Sequence, residues 1–224
     1  MPTLGVNIAI INEKRRILLT EREDFEVWCL PGGGVDFGES TVEAAVREAE
    51  EETGLKIEIT RLVGVYSRPL WLKDSDHTIL FAARTARGRL IINPKEVIGL
   101  GFFETDNLPK SIIWWQERQI RDAVSGVSGV SWKQDAKFSK KKSISRQKLY
   151  QMRDQSGLPR QEFFSQYFKK PEFDSEKIEL AGRAPEKNMK CENPQLNHKI
   201  PYLNERAKLF SSKDHLKDAV FQRQ

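Results

Sequence analysis

Over roughly the first hundred positions the apolar residues come in short, β-branched runs. Gly5–Asn12 (GVNIAIIN) is bounded by polar residues and predicts a buried strand. Arg16–Thr20 (RILLT) follows a polar turn and predicts its hairpin partner. Glu26–Leu30 predicts a third strand, stopped by Pro31 and the glycines after it. Ile57–Tyr66, Thr78–Arg84 and, more weakly, Gly99–Phe103 predict three more. The period then changes. In Ser111–Val124, Ile112, Ile113, Trp115, Ile120 and Val124 predict an amphipathic helix. Past Val124 strong β patterning stops. SGVSGVS reads as a Gly/Ser linker. Ser143–Asp154 and Pro159–Phe168 predict two helices around the turn SGLP, with Leu149, Met152, Phe163, Phe164, Tyr167 and Phe168 as their apolar side. From Lys169 onward the chain is polar and punctuated by prolines, and part of it is expected to be mobile. The pattern thus divides the chain into a strand-rich domain, residues 1–124, and an extension, residues 125–224.

One further helix carries the chemistry. Ser40 and Glu43 form a capping-box pattern, and Gly54 followed by Leu55 is a glycine stop, so a helix should run from about Thr41 to Thr53. At about 100° per residue, Val42, Ala45, Val46, Ala49 and Thr53 share a stripe that should face the core. Glu48 comes close to both Glu51 and Glu52 at i,i+3 and i,i+4 spacing, beside the small residues Thr41 and Ala44. Carboxylates so crowded cost free energy unless a cation neutralises them, and all-oxygen ligands favour hard ions such as Mg²⁺ or Mn²⁺. A solvated charged face would read the same from the helix alone. The preceding Pro-Gly-Gly-Gly changes the balance. Its backbone can approach a ligand closely and present amides to phosphate, whose oxygens bridge to carboxylate-held metal.

Charge adds an asymmetry. Residues 1–124 hold 16 Lys/Arg and 20 Asp/Glu, and residues 125–224 hold 21 and 12, within a net charge of +5. A basic segment can attract nucleic acid, anionic lipid or an acidic partner, or be a solvated tail. Cys29 and Cys191 lie far apart with no CxxC pair, which argues against a disulfide framework or a zinc site. The N-terminal stretch lacks a signal-peptide pattern, and its apolar run is too short for a bilayer, so a soluble, cytoplasmic protein without membrane partners is expected.

Residues 33–55 are similar to the Nudix box, G-x5-E-x7-R-E-U-x-E-E-x-G-U with U aliphatic. Gly33, Glu39, Arg47, Glu48, Glu51, Glu52, Gly54 and Leu55 fill its positions, and Ala49 is a small choice for its slot. The wider resemblance covers about residues 1–124, including WxLPGG as Trp28–Gly33. It implies an α/β fold, an α/β/α sandwich around a mixed sheet, followed here by a mainly helical or partly disordered basic extension. It also implies hydrolysis of a nucleoside diphosphate linked to another group, with ADP-ribose or a related nucleotide sugar first in line and nucleoside triphosphates and dinucleoside polyphosphates left open, and with Mg²⁺, or Mn²⁺ in its place, as cofactor.

Carried onto this chain, the resemblance makes Glu48, Glu51 and Glu52 metal ligands, with Glu48 and Glu52 the principal pair and the Gly33 carbonyl a further ligand. Arg47 would orient a box glutamate through an ion pair, and Glu39 would support the loop–helix geometry. Relatives often supply a base from a loop before the last strand. Glu96 occupies that context, with Glu104 a weaker candidate and a solvated loop glutamate the alternative. Pro69, fifteen residues beyond Gly54, resembles a feature of ADP-ribose pyrophosphatases, though turns often hold proline. Tyr66 or Trp71 could stack on a base or simply pack; with Gly34 and Pro69, Tyr66 completes the candidate substrate contacts. His77 is given no role. The expected partner is a nucleotide-type small molecule, and a homodimer stays open. The paired helices also resemble a helix-turn-helix, which would make the chain a nucleotide-sensing regulator with a C-terminal DNA-binding segment; the intact box and the aromatic second helix, more like a packing face than a reader of base edges, weigh against nucleic acid without closing that reading, and a protein-interaction or dimerisation arm is the third.

Overall fold

The computed structural model describes residues 3–72, 75–136, 144–171 and 175–184. Strand β1 (Thr3–Ile10) lies inside a six-stranded mixed sheet. The order is β4 (Gly32–Gly34), β1, β6 (Asp76–Gly88), β5 (Leu55–Arg68), β8 (Val130–Gln134) and β9 (Glu176–Leu180). The β1–β6 and β5–β8 pairs are parallel and the others antiparallel. A second, antiparallel sheet has the order β3 (Trp28–Cys29), β2 (Ile17–Arg22), β7 (Val97–Phe103).

The hairpin expected between the first two strands does not form. β1 pairs with β4 and β6, while β2 pairs with β3 and β7 in the other sheet. The chain turns sharply between them: Arg15 takes a left-handed φ of 59°, and Asn12 Oδ1 accepts the Arg16 amide at 2.9 Å. Two apolar runs of this kind predict strands but not which neighbours they choose.

Strand alternation sends side chains to two cores. Ile8, Ile10, Phe81 and Ala83 pack with Ala44, Ala45 and Ala49 of helix α1 (Thr41–Thr53). Ala9, Leu80 and Ala82 pack on the opposite face with Ile120 and Ala123 of helix α2 (Gln116–Val124). The fold is therefore α/β with helices on both faces of a mixed sheet. Helix α2 starts five residues later than its periodicity suggests, because Ser111 and Ile113 run beside β3 and exchange backbone hydrogen bonds with Trp28.

The boundary expected at Val124 does not divide the described chain. The described residues up to Arg183 belong to one compact unit. SGVSGVS is no linker: it bends the chain into β8, which extends the sheet alongside Gly64–Ser67. Short polar strands such as β9 (EKIEL) show little apolar alternation, and they were not expected. Helices α3 (Arg146–Gln155) and α4 (Arg160–Tyr167) form near their expected places. Their Leu149, Phe163 and Phe164, with the flanking Phe168, are buried against Phe25, Trp114 and Trp115, so the aromatic side of α4 is a packing face. The expectation of mobility falls mostly on residues 185–224, outside the described residues, as does Cys191. No helix among the described residues is long and apolar enough to cross a membrane.

Candidate active site

Helix α1 begins and ends as its sequence dictates. Ser40 Oγ accepts the Glu43 amide at 3.2 Å, and Glu43 returns a carboxylate to the Ser40 amide at 2.7 Å. Gly54 closes the helix at φ 72°, a left-handed conformation that favours glycine. The buried face is rotated from the expected stripe. Ala44, Ala45, Ala49, Glu52 and Thr53 are buried, while Val42 is exposed and Val46 only half-buried. The cause is β4, which lies against the helix without side chains. Where it passes, Glu48 and Glu52 can turn inward.

The fit there is close. A Cβ on Gly33 would collide with the Glu48 carboxylate where it stands, so glycine gives that carboxylate its room. Glu52 Oε2 accepts the Gly32 amide at 3.1 Å and the residue is 8% exposed. Gly34 is exposed with open space above its Cα, and its carbonyl accepts from Arg47 at 3.1 Å.

Arg47 is the hub of the helix surface. Its guanidinium forks onto Glu39 at 2.6 and 3.1 Å and donates to Glu48 at 2.8 Å and Glu51 at 3.2 Å. Glu39 also accepts the Asp36 amide at 2.7 Å, which ties the loop to the helix. The Arg47 hydrogen bond, chiefly, and that amide hold the Glu39 carboxyl below its ordinary pKa.

Glu52 behaves differently. Burial pushes its pKa up to about 8, against the Gly32 amide and the Arg22 charge, while Glu48 and Glu96 push it further up. Glu48 is raised too, by burial first and then by Glu51 and Glu96, with Arg47 opposing. Glu96 is exposed immediately before β7, yet it is felt by both buried carboxylates. Two acids of α1 thus lie against the glycine strand within reach of the Glu96 charge. Glu51 stands apart: it contributes to Glu48 but is half exposed and drawn to Arg47.

Among the described residues, no three His, Cys, Asp or Glu side chains close around an ion position as they stand. The donor chemistry nonetheless fits a hard divalent cation. The carboxylates are oxygen-only, Glu52 is buried and Glu48 half-buried with the Glu48 charge acting on Glu52, and a glycine backbone leaves space beside them.

Other expected contacts are not brought to this site. Tyr66 is fully buried, with its hydroxyl donating to Asp122 at 2.8 Å on the α2 side of the sheet, so it cannot stack on a substrate. A tyrosine two positions before a strand end alternates inward here, and periodicity alone did not fix its face. Trp71 packs on Trp115 and Phe168, with ring centroids 5.0 and 4.7 Å away. Pro69 is exposed in the turn after β5. His77 makes a 3.0 Å hydrogen bond with Ser67. Arg22, not anticipated from sequence, favours the ionised form of Glu52 and forks onto Asp24 at 2.7 and 2.9 Å. Its only signal was a dense run of charge, EREDFE, between two strands.

The NUDIX domain model matches residues 1–123. A putative 8-oxo-dGTP diphosphatase of Bacillus subtilis (strain 168) is 39% identical over 131 residues, 58% of this chain and 86% of that protein. An ADP-ribose pyrophosphatase of Methanocaldococcus jannaschii is 36% identical over 138 residues, 57% of this chain and 76% of that protein. The solved structure of a mutator MutT protein from Bacillus halodurans superposes with a TM-score of 0.50 at 18% identity, covering 60% of this chain and 90% of that one, a likeness of fold. With its complete box folded as a capped helix against a glycine strand, the chain belongs to the NUDIX family of hydrolases acting on phosphoric anhydride bonds.

Proposed function

We propose that this protein is a Mg²⁺-dependent pyrophosphohydrolase that cleaves the diphosphate linkage of a nucleoside diphosphate joined to another group, with ADP-ribose or a related nucleotide sugar as substrate. The observation that carries this reading is that Glu48 and Glu52 are both held against the glycine strand, Glu48 at Gly33 and Glu52 on the Gly32 amide, where the charge of Glu96 acts on each. Glu48 and Glu52, with Glu51 and the Gly33 carbonyl, would hold Mg²⁺, or Mn²⁺ in its place. The ion would supply charge neutralisation on the diphosphate and acidify the attacking water. Glu96, exposed on its loop, takes the proton of that water as general base. The water oxygen bonds to one phosphorus, the bridging P–O bond breaks, and the second phosphate leaves. Arg47 holds Glu48 and Glu51 in place and touches no substrate. The open face at Gly34 admits the phosphates.

For the sugar-linked substrate the support is Pro69 in its exposed turn and the identity to the M. jannaschii ADP-ribose pyrophosphatase. A nucleoside triphosphate is the second reading, favoured by the higher identity to the B. subtilis protein. A substrate panel with Mg²⁺, wild type beside Glu52→Gln, separates them. AMP and ribose 5-phosphate from ADP-ribose, lost in the variant, are the expected result. Pyrophosphate from triphosphates would move the substrate, and full activity of Glu52→Gln at saturating Mg²⁺ would refute the ligand assignment.

A further inference from the structure

The turn between β2 and β3, Arg22–Glu26, lies far in sequence from α3 and α4 but is gripped by them. Within the turn, the Glu26 amide bonds the Arg22 carbonyl at 2.9 Å, and Glu26 takes a left-handed φ of 55°. The carbonyls of Glu23, Asp24 and Glu26 are each taken by a side chain of the helical pair. Arg160 donates to Glu23 O at 2.6 Å, Arg153 to Asp24 O at 2.6 Å, and Gln161 to Glu26 O at 3.0 Å. Arg160 also pairs with the Glu23 carboxylate. At the tip, Phe25 is buried between Tyr150 and Phe163, with ring centroids at 5.7 and 6.3 Å. Satisfying three backbone acceptors of one turn from one pair of helices fixes both its position and its orientation.

The same turn reaches the candidate site from its other side. The Glu23 amide donates to the Glu96 carbonyl at 2.8 Å. The loop carrying Glu96 is otherwise tied by the Glu96 and Val97 amides to Asn93 O, at 3.1 and 2.9 Å. Glu23 therefore stands between them, its carbonyl held by Arg160 and its amide holding Glu96. Arg22 makes a parallel link. It forks onto Asp24, whose carboxylate also accepts the Tyr150 hydroxyl at 3.1 Å, and its charge acts on Glu52.

We propose that α3 and α4 form a positioning clamp for the hydrolase site, in which Arg160, assisted by Arg153 and Gln161, sets the place of Glu96 through Glu23. The residues past 123, outside the family match, are on this view part of the catalytic apparatus and not an appendage. The proposal rests on Glu96 serving as the base.

Two measurements on the full chain test it. The first needs no metal and no turnover: amide hydrogen exchange of wild type, Arg160→Ala and Arg160→Lys in EDTA. The clamp predicts exchange about tenfold faster at Glu23 and Val97 in Arg160→Ala, restored by Arg160→Lys, which keeps a donor. Faster exchange confined to residues 153–168 overturns it. The second is a kinetic cycle with Glu96→Gln. Arg160→Ala should lower kcat about tenfold with KM little changed, and lower it no further once Glu96 is replaced, since coupled residues are non-additive. Losses that add, or an impaired Arg160→Ala beside a fully active Glu96→Gln, overturn the proposal. Should wild type turn over nothing, the hydrolase reading falls, and the exchange at Val97 alone decides the clamp.

Discussion

Glu48 lies against the backbone of Gly33 with no room between them for a methyl group. The carboxylate occupies the space a side chain would fill. A glycine of the box is thereby tied to a glutamate fifteen residues later through volume, quite apart from any flexibility of the turn.

Gly33→Ala should therefore cost activity more than stability. The atom it meets is the end of a flexible side chain, which can swing aside, so the fold should lose no more than about 1 kcal/mol. A carboxylate displaced by an ångström or more should lower kcat roughly 100-fold. Steady-state kinetics beside thermal melts check this, and a variant with normal kcat would contradict the close fit.

The buried Glu52 gives the metal-free protein a pH dependence with a definite sign. Its folded pKa stands at about 8 against an ordinary 4.5, so the folded state binds the proton more tightly than the unfolded one. The resulting stability is complete below the ordinary value and is lost as pH rises towards 8, on the order of 1.4 kcal/mol per unit. Glu52→Gln carries no such charge. In EDTA, wild type should lose more of its melting temperature between pH 5 and pH 8 than the variant does. Parallel curves would place the Glu52 carboxyl in solvent.

The packing of α4 predicts where the chain can be cut. Phe163 is fully buried, and Phe163→Ala should cost about 3–5 kcal/mol. Ending the chain at Val124 removes α3, α4, β8 and β9, and leaves Phe25, Trp114 and Trp115 without their cover. That fragment should be insoluble or lack a cooperative melt. A soluble, sharply melting product would show that the helical pair is dispensable to the core.

Much of this architecture was legible. The caps of α1 follow from Ser40, Glu43 and Gly54, whose side chains or conformations act within a few residues of themselves. The Nudix box placed Glu48, Glu52 and Arg47 together because one helix carries them all. What was not legible depended on distant partners. Whether β2 pairs with β1 or with β7 is decided by the whole sheet, not by RILLT. Val42 looked like core by helical spacing, but glycines on β4 let the helix bury carboxylates instead. Tyr66 was equally suited to stacking or packing until Asp122 claimed its hydroxyl. Arg22 and Glu23 gain their meaning from residues far along the chain: Glu52, Glu96 and, 137 positions away, Arg160.

The pairing of Gly64–Ser67 with Val130–Lys133 also bears on how the protein is made. A chain growing from its N terminus exposes β5 as an open strand edge until β8 has been synthesised, and leaves Phe25 bare until α4 follows. Nearly the whole acidic helix exists long before the surfaces that complete its domain. The nascent protein therefore passes through a stage when its box is written but its fold is open to wrong partners, and that stage lasts at least until β9, the last strand among the described residues, leaves the ribosome.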